Sequence, residues 1–231
     1  MNRQEVRATI EQVGIIPAVR VTSAEDAIFA SRAVFGGGIP IVELTMTIPD
    51  VLKVIAELSA SQPGALVGAG TILDADQAMR CMEAGAAFLT SPGLDLDMMR
   101  FAEQRGIAVI PGALTPSEVM QARKTGADFV KIFPCAQVGG PAYIRALKAP
   151  FPHVPLIASG GVNQQTAADF IRAGATGLGI GVDLIPREAV RTRNADWIRE
   201  LSRRFLAIVR ETRAQIARRK QAAAEKKDLH S

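Results

Sequence analysis

The sequence has few of the residues that metal centres and disulfide scaffolds require. Among its 231 residues are two cysteines, Cys81 and Cys135, and two histidines, His153 and His230. Two isolated cysteines exclude a disulfide framework, and two histidines at distant positions leave no multi-histidine zinc site. We expect no metal ion on these grounds, and we also expect no cofactor.

Long hydrophobic runs are also missing. No apolar stretch approaches the roughly 18 residues that cross a bilayer, and the first residues, Met1-Asn2-Arg3-Gln4-Glu5, do not resemble a signal peptide. Hydrophobic residues make up 48% of the chain and charged residues 22%, which excludes wholesale disorder and allows a sizeable core. We expect a cytosolic protein with no membrane partner.

The net charge of +4 comes from the C-terminal end of the chain. Residues 1–186 carry 14 basic and 17 acidic side chains, whereas residues 187–231 carry 13 and 6. The basic run Arg218-Arg219-Lys220 has no interleaved aromatic residues and matches no nucleic-acid motif. We interpret residues 211–231 as a peripheral basic tail that frays into disorder, and we do not expect a nucleic-acid partner.

One unit repeats eight times along the chain. A short apolar run rich in β-branched residues precedes a longer segment, and a Gly or Gly-Ala precedes the next run. The predicted strands are Ile15–Val21, Ile39–Thr45, Ala65–Thr71, Ala87–Ser91, Ile107–Pro111, Asp128–Phe133, Pro155–Ser159 and Gly177–Gly181. The predicted helices include Asp74–Ala84, Asp95–Arg105, Pro116–Thr125 and Gln164–Ala173. Capping residues precede them (Asp74, Asp95, Thr115 and Asn163) and glycines end them (Gly85, Gly106, Gly126 and Gly174).

This alternation predicts the fold class. Parallel strands need crossover connections, and eight strand–helix units fit the closed (β/α)₈ TIM barrel of the α/β class. The alternative is an open doubly wound sheet, but no Gly-x-Gly-x-x-Gly turn follows the first strand. We predict a single barrel domain over residues 1–210, with its last helix running from about Glu188 through Arg210 and continuing into the tail as a basic C-terminal helical extension.

Two strands contain a charged residue where an apolar one is expected. Lys131 lies within Asp128–Phe133 and shares a face with Phe129 and Phe133, and Glu43 lies within Ile39–Thr45. Strands of a parallel sheet are buried on both faces, so such charges need an explanation. Both residues lie near the C-terminal ends of their strands, where barrel enzymes assemble active sites.

An amine and a carboxylate in such a place fit chemistry on ketones. Low-dielectric surroundings disfavour the charged form of a lysine, so Lys131 is expected to lose its proton readily and become a nucleophile. Glu43 would then transfer protons between substrate, water and the nitrogen. The alternative is a structural Lys–Glu pair, or a lysine that extends to solvent from the strand end.

Loops at the same end of the predicted barrel suit a small oxygenated ligand, with the shaping of tight turns as the alternative role. Thr71 ends one strand, and Ser91-Pro92-Gly93 follows the next. Ser159-Gly160-Gly161-Val162 and Gly179-Ile180-Gly181-Val182 end the seventh and eighth strands, where barrels often bind phosphate through backbone N–H groups.

These residues resemble the class I aldolases of 2-keto-3-deoxy-6-phosphogluconate (KDPG), 4-hydroxy-2-oxoglutarate (KHG) and 2-keto-3-deoxy-6-phosphogalactonate (KDPGal). The resemblance covers most of residues 10–186. It is carried by the blocks Gly14-Ile-Ile-Pro-Ala-Val-Arg20, Val42-Glu-Leu-Thr45, Val67-Gly-Ala-Gly-Thr-Ile-Leu73, Ser91-Pro-Gly-Leu94, Ile110-Pro-Gly112, Lys131-Ile-Phe-Pro134 and Gly160-Gly-Val162.

The resemblance implies a retro-aldol cleavage to pyruvate and an aldehyde such as glyceraldehyde 3-phosphate, by a protein that is typically a metal-free homotrimer. It implies that Lys131 forms the Schiff base and that Glu43 is the acid and base. The substrate-binding residues implied or expected are Arg20, Thr47, Thr71, Pro92, Phe133, Ser159, Gly160, Gly161, Gly181 and Val182.

Two positions depart from the family pattern. Thr47 stands where many KDPG aldolases have an arginine that binds the substrate carboxylate, so we expect Arg20 to supply that charge instead. Gly181-Val182-Asp183 stands where a Gly-Gly-Ser is common, and Asp183 would repel a phosphate unless it turns away. Substrate identity is therefore less determined than reaction type.

Two further functions remain as alternatives. A sugar-phosphate epimerase or isomerase would use Glu43 as its base and the glycine loops for phosphate, although metal-dependent enzymes of this kind need more histidines than this sequence has. A non-catalytic barrel would use the basic tail to recruit nucleic acid, but it gives no reason for an amine and a carboxylate inside apolar strands.

Overall fold

The computed structural model describes residues 1–228 as a nearly closed barrel of parallel strands surrounded by helices. Its strands are β1 (Ile15–Val19), β2 (Ile41–Thr45), β3 (Leu66–Gly70), β4 (Phe88–Thr90), β5 (Ala108–Ile110), β6 (Gly112–Ala113), β7 (Val130–Ile132), β8 (Leu156–Ser159) and β9 (Gly177–Ile180). Every predicted strand is present, within two residues at its start and within two at its end. The predicted (β/α)₈ fold is confirmed.

The predicted fifth strand is present as β5, and the chain pairs again after Pro111 as β6, beyond the predicted end. Proline has no N–H to donate, so the ladder is interrupted there while the chain continues in the same direction. The sheet order runs from β5 through β4, β3, β2, β1, β9, β8 and β7 to β6. The ring closes across this interruption, because the N–H of Lys131 donates to the carbonyl of Pro111 at 2.9 Å and that of Asp128 donates to Val109 at 3.0 Å.

The helices are α1 (Arg3–Val13), α2 (Ala24–Gly36), α3 (Val51–Ser61), α4 (Ala75–Glu83), α5 (Leu96–Arg105), α6 (Pro116–Lys124), α7 (Pro141–Lys148), α8 (Ala167–Arg172), α9 (Arg187–Arg191) and α10 (Ala195–Asp228). The side chains of Asp74, Asp95 and Thr115 each accept a backbone N–H at the start of the following helix, as predicted. The prediction at Asn163 was wrong, since this side chain caps the turn at Gln165 and Thr166 and the helix begins later, at Ala167.

The register places the predicted charges inside the barrel. Glu43 pairs with Ala18 on one side and with Gly68 on the other, and Lys131 pairs with Gly112 and Ile157. Side chains at these positions point toward the barrel axis, and their neighbours in the ladder are small or apolar. The N-terminal helix α1, which the sequence did not predict, ends directly before β1 and therefore lies at the opposite end of the barrel from the cavity described below.

The predicted C-terminal helical extension is confirmed. A break at residues 192–194, where Arg193 has a φ of 53°, divides the predicted last helix into α9 and α10, and α10 continues through Asp228. The guanidinium of Arg213 explains part of this continuation, because it donates to the carbonyls of Glu11, Gln12 and Thr176 and fixes the helix to the barrel. His230 lies outside the described residues. None of the described helices combines the length and the apolar character that crossing a bilayer demands.

Candidate active site

A cavity of about 330 Å³ opens at the C-terminal end of the barrel. It is lined by eleven of the twelve predicted site residues, which come from loops and strand ends all around the ring: Arg20, Glu43, Thr71, Pro92, Lys131, Phe133, Ser159, Gly160, Gly161, Gly181 and Val182. Because parallel strands all end at the same edge of the barrel, residues distant in the sequence meet here.

Lys131 and Glu43 form the buried centre of this cavity. The Nζ atom of Lys131 lies 3.7 Å from Oε1 of Glu43, and their side chains are 12% and 5% exposed. A buried pair of this kind is costly to desolvate and adds little net stability, so its presence inside the barrel favours a chemical role over a structural one. The distance allows a proton to pass between the two groups directly or through one water.

The Glu43 carboxylate occupies space that only a glycine leaves open. A Cβ atom on Gly70 would lie 2.2 Å from Oε1 of Glu43, a separation that no pair of nonbonded atoms tolerates. The carboxylate therefore lies directly over the backbone of β3, on the face of the strand that points to the barrel axis. Local sequence patterns do not show this contact, because it joins side chain and backbone of two different strands.

An aromatic wall covers the lysine. The ring centroid of Phe133 lies 5.5 Å from Nζ of Lys131, within the range of a cation–π contact. The following peptide, Phe133–Pro134, is cis. A ring in this position excludes water from one side of the amine while leaving the side facing Glu43 open.

Thr71 and Arg20 meet at another side of the cavity. Arg20 donates from Nη2 to Oγ1 of Thr71 at 3.4 Å. Thr71 has a φ of 60°, in the left-handed region that β-branched residues avoid. Such strain is concentrated at functional sites, where it aims a side chain that an unstrained backbone would direct elsewhere. The pair presents a guanidinium and a hydroxyl to any ligand in the cavity.

A glycine loop forms the side of the cavity that follows β8. Gly160 and Gly161 have φ values of 87° and 82°, and a Cβ on Gly161 would lie 2.2 Å from that of Ala136. Within residues 1–228, the N–H groups of Gly160, Gly161 and Val162 donate to no backbone acceptor. Consecutive free N–H groups at the edge of a cavity provide donors for an anion.

Thr47 is the one predicted site residue that the structure does not bring into this cavity. It lines a neighbouring cavity of about 550 Å³ together with Arg20, and its Oγ1 lies 2.8 Å from that of Thr45. The resemblance places Thr47 at the position of a substrate-binding arginine in the family pattern. Threonine is shorter than arginine, and Thr47 does not line the cavity that holds Lys131.

Sequence reasoning missed one charged residue of the cavity. Arg187, the first residue of α9, lines both this cavity and the neighbouring one. Asp183, whose effect on an anion was questioned from the sequence, lines the same cavity. No periodic signal indicated Arg187, because only the path of the loop after β9 brings it to the rim.

The nearby cysteine is not a competing nucleophile. Cys135 lies behind the glycine loop, where its N–H donates to the carbonyl of Ser159. Burial raises the pKa of its thiol to about 11, so it stays protonated near neutral pH. In residues 1–228, no three His, Cys, Asp or Glu side chains come together as metal ligands.

Comparison with known proteins identifies the family. Residues 6–201 match the family described as KDPG and KHG aldolase. A 2-dehydro-3-deoxy-phosphogluconate aldolase of Pseudoalteromonas atlantica is 31% identical over 193 residues, which are 84% of this chain and 90% of the relative. A KHG/KDPG aldolase of Escherichia coli K12 is 31% identical over 189 residues, 82% of this chain and 89% of the relative.

A solved structure extends the similarity to three dimensions. The KDPG aldolase of Legionella pneumophila, with pyruvate captured as a covalent carbinolamine, superposes with a TM-score of 0.80 at 30% identity. The match covers 85% of this chain and 96% of that protein. With a lysine and a glutamate buried at the C-terminal end of the barrel and these similarities along most of its length, the chain belongs to the KDPG and KHG aldolase family.

Proposed function

We propose that this protein is a class I aldolase that cleaves KDPG to pyruvate and glyceraldehyde 3-phosphate through a Schiff base on Lys131. The observation that carries the proposal is the 3.7 Å separation of the Lys131 amine and the Glu43 carboxylate inside the barrel. The similarity to a protein that captures pyruvate as a carbinolamine supports the same chemistry.

The reaction begins with the lysine. Glu43 accepts a proton from the Lys131 ammonium, and the free amine attacks the C2 ketone to form a carbinolamine. Glu43 then returns a proton to the carbinolamine hydroxyl, which leaves as water and gives an iminium ion. The low exposure of both side chains limits competing water and strengthens the electrostatic interactions in the site.

The iminium withdraws the electrons of the breaking bond. Glu43 takes the proton of the C4 hydroxyl as the C3–C4 bond breaks, which releases the aldehyde and leaves an enamine on Lys131. Protonation at C3 and hydrolysis of the resulting iminium release pyruvate and restore the amine. Every proton that moves can pass through the one carboxylate beside the nitrogen.

The cavity supplies two places for the substrate's anionic ends. Arg20 and Thr71 are proposed to bind the carboxylate of the pyruvyl half, with Arg20 replacing the arginine that Thr47 lacks. The free N–H groups of Gly160 and Gly161 are proposed to bind the phosphate, near Ser159, Gly181 and Val182. Pro92 and Phe133 are proposed to form the walls between these ends.

KHG is the second candidate substrate, supported by the similarity to an Escherichia coli protein named for both substrates. KDPGal, which differs from KDPG at C4, is the third. Cleavage rates of all three, measured with purified protein by coupled detection of pyruvate, rank them by kcat/KM. A preference of at least tenfold for KDPG is expected, and a higher kcat/KM for KHG or KDPGal reassigns the substrate.

We also propose that the protein is cytosolic and assembles as a homotrimer. Family resemblance supports both statements. Light scattering coupled to size-exclusion chromatography measures the mass of the assembly, and a mass of one or two chains contradicts the trimer.

Schiff-base trapping tests the proposed reaction. Incubation with pyruvate and borohydride is expected to attach a reduced pyruvyl group to Lys131, detected by peptide mass spectrometry, and Lys131→Ala is expected to abolish both adduct and cleavage. A protein that forms no adduct on Lys131 is not this aldolase. Turnover of a sugar phosphate that survives Lys131→Ala instead identifies an epimerase or isomerase.

A further inference from the structure

Two buried hydroxyls have no hydrogen-bond partner among the described side chains, those of Ser31 in α2 and Thr90 at the end of β4. Both residues are almost fully buried, at 0% and 1% exposure. A buried hydroxyl without a partner costs free energy, so an unpaired one that persists calls for an explanation. Ser31 lies in a helix outside the barrel, whereas Thr90 lies in the barrel wall.

Thr90 points into the barrel. Its side chain shares a face with Phe88, whose ring fills the space next to Gly68. The pairing of Ala69 with Leu89 places Thr90 beside Gly70 in the next strand, and the N–H of Ile72 donates to the carbonyl of Thr90 at 3.2 Å. Thr90 is therefore the neighbour of the glycine over which the Glu43 carboxylate lies.

The distance between the hydroxyl and the carboxylate follows from this register. Neighbouring strands are about 4.8 Å apart, and side chains at paired positions on one face of a parallel ladder are separated by about the same distance. Since Glu43 occupies the position of a Gly70 side chain, its carboxylate lies one such spacing from Thr90. That spacing suits a hydrogen bond made directly after a small rotation, or through one water.

The carboxylate has acceptor capacity for this donor. Among the described residues its one polar contact is the Lys131 amine at 3.7 Å, which is longer than a hydrogen bond. We propose that Thr90 is a positioning residue that donates a hydrogen bond to the Glu43 carboxylate, directly or through one water, and holds it in place for proton transfer with Lys131. The inference rests on the proposed function, and Thr90 itself is not among the residues that line the cavity.

The test compares variants that keep or remove the hydroxyl. Thr90→Val replaces it with a methyl group of the same size, and it is expected to lower kcat about tenfold, the scale of a lost hydrogen bond to a charged group, with little change in KM. Thr90→Ser is expected to retain most of kcat. The melting temperature of Thr90→Val is expected to stay equal or to fall slightly, because the variant keeps the shape of the side chain and loses one hydrogen bond.

The pH profile gives a second readout that a purely structural role does not change. A carboxylate that loses a donor holds its proton more readily, so the acidic limb of the kcat profile of Thr90→Val is expected to move to higher pH. The charged groups that line the same cavity are Arg20, Lys131, Asp183 and Arg187. All variants contain these groups, so a difference between the kcat profiles of two variants is due to the presence or absence of the Thr90 hydroxyl.

Ser31→Ala is the matched control, since it removes the other unpaired hydroxyl at a distance from the site. It is expected to leave kcat and the pH profile unchanged.

If Thr90→Val does not fold, Thr90→Ala and Thr90→Ser form the test pair, and the serine variant is expected to be at least fivefold faster. Equal kcat and equal pH profiles for the variants with and without the hydroxyl overturn the inference. Borohydride trapping on wild-type Lys131 is independent of Thr90, so it separates that failure from a failure of the proposed function.

Discussion

The carboxylate of Glu43 lies in the space that a side chain on Gly70 would fill. A Cβ atom there would be 2.2 Å from Oε1, 2.5 Å from Cδ and 2.5 Å from Cγ of the glutamate. The absence of a side chain at this one position of β3 thus allows Glu43, the proposed acid and base, to approach Lys131. The strand pairing of Glu43 with Gly68 and of Thr45 with Gly70 maintains the arrangement.

Gly70→Ala is expected to displace the Glu43 carboxylate and to lower kcat about a hundredfold, because misplacement of a reacting group by about 1 Å has an effect of that size. Steady-state cleavage of KDPG measures the loss. Gly106→Ala is the control, since a Cβ there meets nothing within 4 Å but is strained by a φ of 64°. The control is expected to lose stability and to retain kcat. Full activity in Gly70→Ala contradicts the placement of Glu43.

Glu43→Gln is expected to separate formation of the Schiff base from turnover. The amide preserves the shape of the side chain but does not accept a proton, so kcat is expected to fall about a hundredfold to ten-thousandfold. The Lys131 amine remains, so the variant is still expected to form the Schiff base with pyruvate. Borohydride is expected to trap it more slowly, but eventually on all of the protein. Rapid-quench trapping and steady-state cleavage are measured on the same preparation. A variant that cleaves at the wild-type rate excludes Glu43 as the acid and base.

Arg20→Gln is expected to weaken substrate binding. The guanidinium is exposed, and its one described hydrogen bond goes to Thr71, which leaves donors for a carboxylate. Loss of a charge-assisted hydrogen bond of about 1.5–3 kcal/mol corresponds to a tenfold to hundredfold decrease in kcat/KM, mostly through KM.

The control for this variant is Arg32→Gln, because Arg32 is also exposed but pairs with Glu57 on the outer helices. It is expected to leave both kinetic constants unchanged. Equal KM values for the two variants would show that the charge of Arg20 does not bind the substrate.

The two thiols are expected to resist alkylation in the folded protein. Burial raises the pKa of Cys81 and of Cys135 to about 11. A raised pKa means that the protonated form persists as pH increases, so the reactive thiolate is scarce below about pH 10. Iodoacetamide at pH 8 is therefore expected to label neither residue, to leave cleavage activity intact, and to label both in guanidinium chloride. Rapid labelling of Cys135 without denaturant contradicts its burial.

Local patterns predicted the framework of the protein. Runs of β-branched residues and the glycines after four predicted helices are short-range signals, and Gly85, Gly106, Gly126 and Gly174 all have the positive φ expected of them. The same patterns identified Lys131 and Glu43, because a charge inside an apolar strand stands out without any knowledge of its partners.

Long-range contacts escaped those patterns. Arg213 of α10 donates to carbonyls of Gln12 and Thr176, which are remote in sequence. Thr47 lies in a neighbouring cavity, and Arg187 reaches the cavity that holds Lys131, because of the paths of two loops.

By itself, then, the sequence determined the order and period of the elements, and hence a barrel with an amine and a carboxylate on its inner face. Only the tertiary structure decided that the Glu43 carboxylate lies over Gly70, 3.7 Å from the Lys131 amine, with Thr90 in the next strand. The physical reason is that periodicity reports which face a residue occupies, whereas the distance between residues on different strands is set by register and by closure of the ring.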